Sequence, residues 1–228
     1  MGESWECVMA SAIPRLRAPA PSNTKLLDDH RFRALLSDED WGRLPVAIWR
    51  RFSKRLEDGR TVIYVGEVDE ASVSRIGWWF AQVARVIGGP LPTGAETCVP
   101  MVVAVTEDAA SGGQIWTRIC ARKRGFPQVI HSAKRFAGPT GLEEYIGFGI
   151  AMALRICVAD QALHFHSTGY SLQIGRLRLS LPEWLTPGDL TVTHSDLGDA
   201  KFRFTLDLIH PRFGRLIHQS ARFTEAAS

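Results

Sequence analysis

Two periodicities divide the chain: helical spacing of apolar residues up to residue 52, and alternation at period two over most of residues 60–224. The alternation is most regular over 143–158. There Ile146, Phe148, Ile150, Met152, Leu154, Ile156 and Val158 are large and apolar, while Tyr145, Gly147, Gly149, Ala151, Ala153, Arg155 and Cys157 are mostly small. A helix would carry two glycines at about 1 kcal/mol each. The pattern therefore predicts one long central strand with a packing face and a roomy face.

Around this spine the other elements fall in order. Pro14, Pro19 and Pro21 prevent a regular element in an N-terminal leader, residues 1–25. Phe32, Leu35 and Leu36, then Trp41, Leu44, Ile48 and Phe52, mark short helices, with Ser37 capping the acidic turn Asp38-Glu39-Asp40 and Pro45 opening the last one. A strand over 60–68 precedes a helix whose face is Val73, Ile76, Phe80, Val83, Ala84 and Ile87, stopped by Gly88-Gly89-Pro90. Trp78 and Trp79 add apolar area, which predicts a helix wedged between layers. Strands follow over 99–107, 114–122, 126–136, 143–158, 162–174, 176–181, 190–197, 201–210 and 213–223, joined by short Gly-, Asp- and Pro-containing turns. A meander of this length curls to remove its edges. The expected fold is one α+β domain, residues 26–224 with a tail over 225–228, in which N-terminal helices pack on a strongly curved antiparallel β-sheet or partly closed β-barrel.

Composition narrows the function classes. The 228 residues carry a net charge of only +3, spread along the chain, so there is no broad footprint for nucleic acid or an anionic membrane. The clusters Arg50, Arg51, Lys54, Arg55 and Arg122-Lys123-Arg124 read as a solvated helix face and a hairpin turn. Cys7, Cys98, Cys120 and Cys157 have no metal-type spacing, which with the absence of a signal-like apolar N-terminus leads to an expected cytoplasmic location. No 18-residue apolar run is present, so no membrane span is expected. Gly147-Phe148-Gly149 lacks the strand and helix context of a dinucleotide site, and no nucleophile elbow, phosphate loop or HExxH motif occurs. No cofactor and no catalytic residue is expected.

Arg155 on the roomy face is the most informative single residue, because a charge beside Gly and Ala needs a carboxylate, a ligand anion or water. That face admits either a packed helix or a ligand cavity, and both readings stand. If it is a cavity, Arg155 and Tyr145 line it, with Trp79 of the facing helix, Tyr170, and Trp116 and Arg118, which share a strand face without an obvious partner. His164 and His166 project from one strand face about 7 Å apart and can hold a metal with a third ligand from His131, Glu143 or Asp160. The remaining histidines, His194 among them, read as surface or turn residues.

Several pieces in order, Leu44-Pro45 with Arg50-Arg51-Phe52, Tyr64-x-Gly66, Gly89-Pro90-Leu91-Pro92, Ile115-Trp116-Thr117-Arg118, Gly141-Leu142-Glu143, Leu179-Ser180-Leu181-Pro182, Phe202-Arg203-Phe204 and His210-Pro211, resemble a bacterial domain of unknown function, number 4166. The resemblance implies no activity. It implies that Trp116, Arg118 and Glu143 belong to a shared pattern, read as an Arg–Glu pair capped by an indole. Such domains are sometimes fused to a saccharopine-dehydrogenase-like domain, which implies an accessory role toward a separate oxidoreductase partner. Three functions follow: a non-catalytic module binding a small apolar or amphipathic, acyl- or lipid-like ligand between the sheet and the tryptophan helix; that accessory role; and a metal-dependent enzyme built on His164 and His166.

Overall fold

A computed structural model describes residues 29–56, 60–88 and 91–226; the expected leader and the Gly89-Pro90 helix stop lie outside the described residues. Eleven strands are described: β1 (Thr61–Val73), β2 (Pro100–Asp108), β3 (Gly113–Cys120), β4 (Gln128–Arg135), β5 (Glu143–Gly147), β6 (Ile150–Ala159), β7 (Ala162–Ile174), β8 (Leu177–Ser180), β9 (Asp189–Gly198), β10 (Lys201–His210) and β11 (Gly214–Glu225). Consecutive strands pair antiparallel except β8 with β9, and the first pairs with the last, β1 with β11. β8 stands outside the ring, paired with the far part of β7, while the near part of β7 pairs with β9. The remaining ten strands therefore form a closed antiparallel barrel, which is how the meander disposes of its edges.

The long strand expected over 143–158 is two strands. Gly147, Phe148 and Gly149 all have positive φ (130°, 50° and 80°), which reverses the chain between β5 and β6. A reversal this tight leaves the alternation of large and small residues nearly unbroken, so the pattern reads as continuous. β1 runs on to Val73, past the expected end at 68, through a bulge at Asp69 whose carboxylate accepts from Arg222 Nε at 2.7 Å.

Antiparallel order puts successive connections at opposite ends of the barrel. One end is plugged by α1 (Asp38–Arg43) and α2 (Val46–Phe52), with Ser37 Oγ accepting from the Asp40 N–H at 3.0 Å as the expected cap. Phe32, Ile48 and Phe52 are buried against Leu154, Leu163 and Phe165, and Phe52 meets Phe165 with ring centroids 5.6 Å apart.

At the other end α3 (Arg75–Val86) spans the mouth. It is capped by Ser74, whose Oγ accepts from the Gly77 N–H at 3.0 Å. A Cβ on Gly77 would lie 2.2 Å from the Leu216 carbonyl of β11, and one on Gly88 would lie 2.5 Å from the Ile146 carbonyl of β5. β11 and β5 are five strands apart in either direction round the ring, so the helix is seated on opposite walls. Its inner face is Phe80, Ala84 and Ile87. Trp78 and Trp79, expected between layers, are exposed on its outer side, because the barrel mouth offers a second layer to one face only.

His194 on β9 is fully buried, not on the surface, between Phe52, Phe202 and Phe204. Arg51, which also stacks 3.8 Å over the Phe202 ring, donates from Nη1 to His194 Nε2 at 2.6 Å, so the imidazole is neutral with its proton on Nδ1. Burial first, and the Arg51 charge second, push its pKa well below the usual 6.5. The unfolded chain takes up a proton there that the fold refuses, so stability is full above pH 6.5 and declines below it. Wild type should lose about 1 kcal/mol more than His194→Gln between pH 7.5 and 5.5 in urea unfolding. Equal losses would mean that His194 is not the titrating group.

Candidate functional site

Inside the barrel, between the plug and α3, lies a cavity of about 240 Å³. Its walls are mainly apolar, with Met101, Met152, Phe165, Leu206 and Phe223 among them, and its roof is the inner face of α3. Val83 on α3 and Leu185 in the β8–β9 loop both line the cavity and are exposed, at 65% and 53%. A side chain that touches both cavity and solvent marks the opening, which therefore lies between α3 and the loop 181–188. Tyr170 OH donates to the Gly188 carbonyl at 3.3 Å, and the Leu190 N–H to Ser167 Oγ at 2.9 Å, beneath the opening where β7 and β9 no longer form a ladder.

One wall is charged. Adjacent strands β3, β4 and β5 each turn one ionic side chain inward: Arg118, Lys134 and Glu144, all lining the cavity. Lys134 and Glu144 are direct cross-strand partners, with Nζ donating to Oε2 at 3.0 Å. Arg118 Nη2 donates to Glu144 Oε1 at 3.1 Å and to Ser132 Oγ at 2.5 Å, and Ser132 Oγ donates to Glu144 Oε1 at 2.5 Å. Lys134 Nζ also lies 5.0 Å from the Trp116 ring centroid and 5.3 Å from that of Phe165. Two cations share one carboxylate, which leaves the wall with an excess of one positive charge. Arg118 Nε is buried and has no hydrogen-bond partner.

Burial pushes the Glu144 carboxyl up, but the Lys134 and Arg118 charges and the Ser132 hydroxyl outweigh it and hold the pKa at about 2. Burial pushes Lys134 down against the pull of Glu144. Tyr170 is pushed up, chiefly by burial, and stays a phenol.

The sequence-derived candidates separate cleanly. Trp116, Arg118 and Tyr170 line the cavity. Arg155 does not: it is exposed on the outer face of β6, because alternation sends Met152, Leu154 and Ile156 to the buried side. Tyr145 shares that outward orientation, with the Arg135 guanidinium 3.8 Å over its ring, and Trp79 faces solvent. Glu143 is not the partner of Arg118. It lies on the opposite face of β5 from Glu144 and pairs with Arg178 of β8 at 2.5 Å. His164 and His166 stack on the outside of β7, bonded to Thr193 and Thr191 at 3.1 and 3.0 Å. Their proposed third ligands stand elsewhere, and among the described residues no group of three His, Cys, Asp or Glu side chains could hold a metal ion. Sequence reasoning missed Glu144, Lys134 and Ser132; the signal available was polarity on both faces of the strand that holds Ser132 and Lys134.

The chain matches the model of the domain of unknown function DUF4166 over residues 44–223. The chain belongs to this family. The matched span takes in α2, α3 and nearly the whole barrel, hence all the charged-wall residues, and leaves out Phe32 and α1 of the plug. No curated protein and no solved structure matches the chain. Among the described residues no helix is long and apolar enough to cross a membrane.

Glu144→Gln should destabilise the protein by about 3–5 kcal/mol at pH 7, since it strands two buried cations. The wild-type carboxylate contributes fully above pH about 4.5, the ordinary glutamate value, and loses its contribution as the pH falls toward about 2. The gap between wild type and variant in urea unfolding should therefore narrow over that window. A gap constant with pH would show that Glu144 is not ionised in the fold.

Proposed function

We propose that this barrel is a binding module for a small amphipathic ligand whose apolar body fills the cavity and whose anionic end meets Arg118 and Lys134. The observation that carries the reading is the unbalanced cation in an otherwise apolar interior, with Arg118 Nε unpartnered. A buried charge with spare donors is costly in the empty protein and is compensated when an anion arrives. Glu144 and Ser132 hold the guanidinium in place beforehand, so little ordering is lost on binding. At about 240 Å³ the space lies just below the usual range of ligand cavities, which run from about 300 Å³ upward, and this favours a short acyl or compact aromatic acid. The accessory reading expects a filled core, so the cavity favours a ligand over that reading.

Octanoate and 1-octanol separate the charged anchor from the apolar body. Calorimetry should show octanoate binding more tightly than the alcohol. Arg118→Leu should weaken octanoate by roughly 10- to 100-fold and leave the alcohol unchanged. Equal affinities for the two probes would remove the anchor from the reading. Failure of both to bind, with a native mass equal to the denatured mass after gentle purification, would remove the ligand itself.

A further inference from the structure

The exposed aromatic residues are not scattered over the barrel. Among the described residues every exposed Phe and Trp, namely Trp78, Trp79, Phe126, Phe148, Trp184 and Phe213, lies in a connection at the α3 end. They come from five separate connections: α3 and the loops β3–β4, β5–β6, β8–β9 and β10–β11. Phe126 is 93% exposed at the tip of its hairpin. At the plugged end the hairpin connections 109–112, 136–142, 160–161 and 199–200 carry no exposed aromatic residue.

Charge divides the same way. Connections at the α3 end carry Arg75 and Arg85 on the helix, Arg122-Lys123-Arg124, Arg176 and Arg212, seven basic residues against Glu96 and Glu183. None of the seven is ion-paired among the described residues. The plugged-end hairpin connections hold no Lys or Arg, only Asp160 and Asp199; the plug itself carries basic residues, but Arg31, Arg33, Arg43 and Lys54 there are ion-paired to Asp29, Asp38, Asp40 and Glu225. The small net charge of the whole chain conceals a strongly cationic, aromatic-tipped end.

We infer that the α3 end of the barrel docks on an anionic lipid bilayer. Trp and Phe at separate loop tips suit the headgroup layer, where an amphipathic or apolar ring is accommodated without a shaped pocket. Arg and Lys without a carboxylate partner beside them suit anionic headgroups, to which each contributes roughly fivefold in affinity. A folded protein partner would call for a contiguous apolar patch with a depleted charge at its centre, and here the aromatics are distributed around a mouth and interleaved with cations. The opening between Val83 and Leu185 lies at this end, next to Trp184 in the same loop, so docking presents the cavity to the layer in which apolar acids dissolve. That last consequence rests on the proposed ligand reading; the docking itself rests on the surface alone.

Sedimentation of the full chain with phosphatidylcholine vesicles, with and without phosphatidylserine, tests it without any ligand. Binding should require phosphatidylserine and fade at high salt. The triple change Arg122→Glu, Lys123→Glu, Arg124→Glu should lower it by roughly 100-fold or more. Phe148→Ser with Trp184→Ser should lower it while keeping the salt dependence. All five side chains are exposed, so melting as in wild type confirms that each variant is folded. Absence of binding to either vesicle, or wild-type binding by the charge-reversed variant, overturns the inference and points to a protein surface instead. Because no octanoate enters the assay, a failure here leaves the cavity reading standing, and a failure there leaves this one standing.

Discussion

The ladder between β1 and β11 is the constraint on which the rest of the structure depends. It joins strands from opposite ends of the chain, Val73 with Ile217 at one end and Tyr64 with Glu225 at the other. Without it the meander is an open sheet with two unpaired edges; with it there is an inside. The ladder also places the covers. α2 leads toward β1, and Lys54 meets Glu225 where β11 ends, which sets the plug over one end. α3 leaves β1 at the other end and is seated on β11 through Gly77. Pairing this remote in sequence carries a large loop-closure cost in chain entropy, and the cavity and both of its covers depend on it.

Closure alone would give a barrel filled with apolar side chains. What distinguishes this interior is the charged wall on β3, β4 and β5. Replacing a buried ionic group with well-packed apolar residues is often neutral or stabilising, so stability does not account for two cations around one carboxylate. Glu144 orients both basic side chains, and one carboxylate can balance only one positive charge. Cross-strand hydrogen bonds hold all three side chains in place.

Much of this architecture was legible in residues 60–224, because turn residues and alternation act locally. Ser37 and Pro45 act at the helix starts that their types imply. The site was harder to read for a reason that particular residues make plain. Alternation tells which residues share a face, but in a strand polar on both faces it does not tell which face is inside. Arg155 looked inward because its neighbours are small, yet Ala151 and Ala153 are buried on the outer side of the wall and Arg155 caps that row in solvent. Glu143 and Glu144 are adjacent, and only the register of β5 on β4 decides which one meets Lys134. The cationic end is legible only after topology has gathered seven residues from separate connections.

α3 is fixed to both walls of the mouth by contacts that leave no room for a methyl group at either end. It is therefore a crossbeam and not a hinged door. The facing segment, 181–188, runs between the outlying strand β8 and β9 and is held by the Leu181 N–H on the Tyr170 carbonyl at 2.8 Å, by the Tyr170 OH on the Gly188 carbonyl at 3.3 Å, and at Gly188 by an approach to the Ile209 carbonyl as close as those that seat α3. Tyr170 thus belongs to two structures at once, the wall that faces the cavity and the strap that borders its opening, so that one side chain ties the shape of the interior to the width of its entrance.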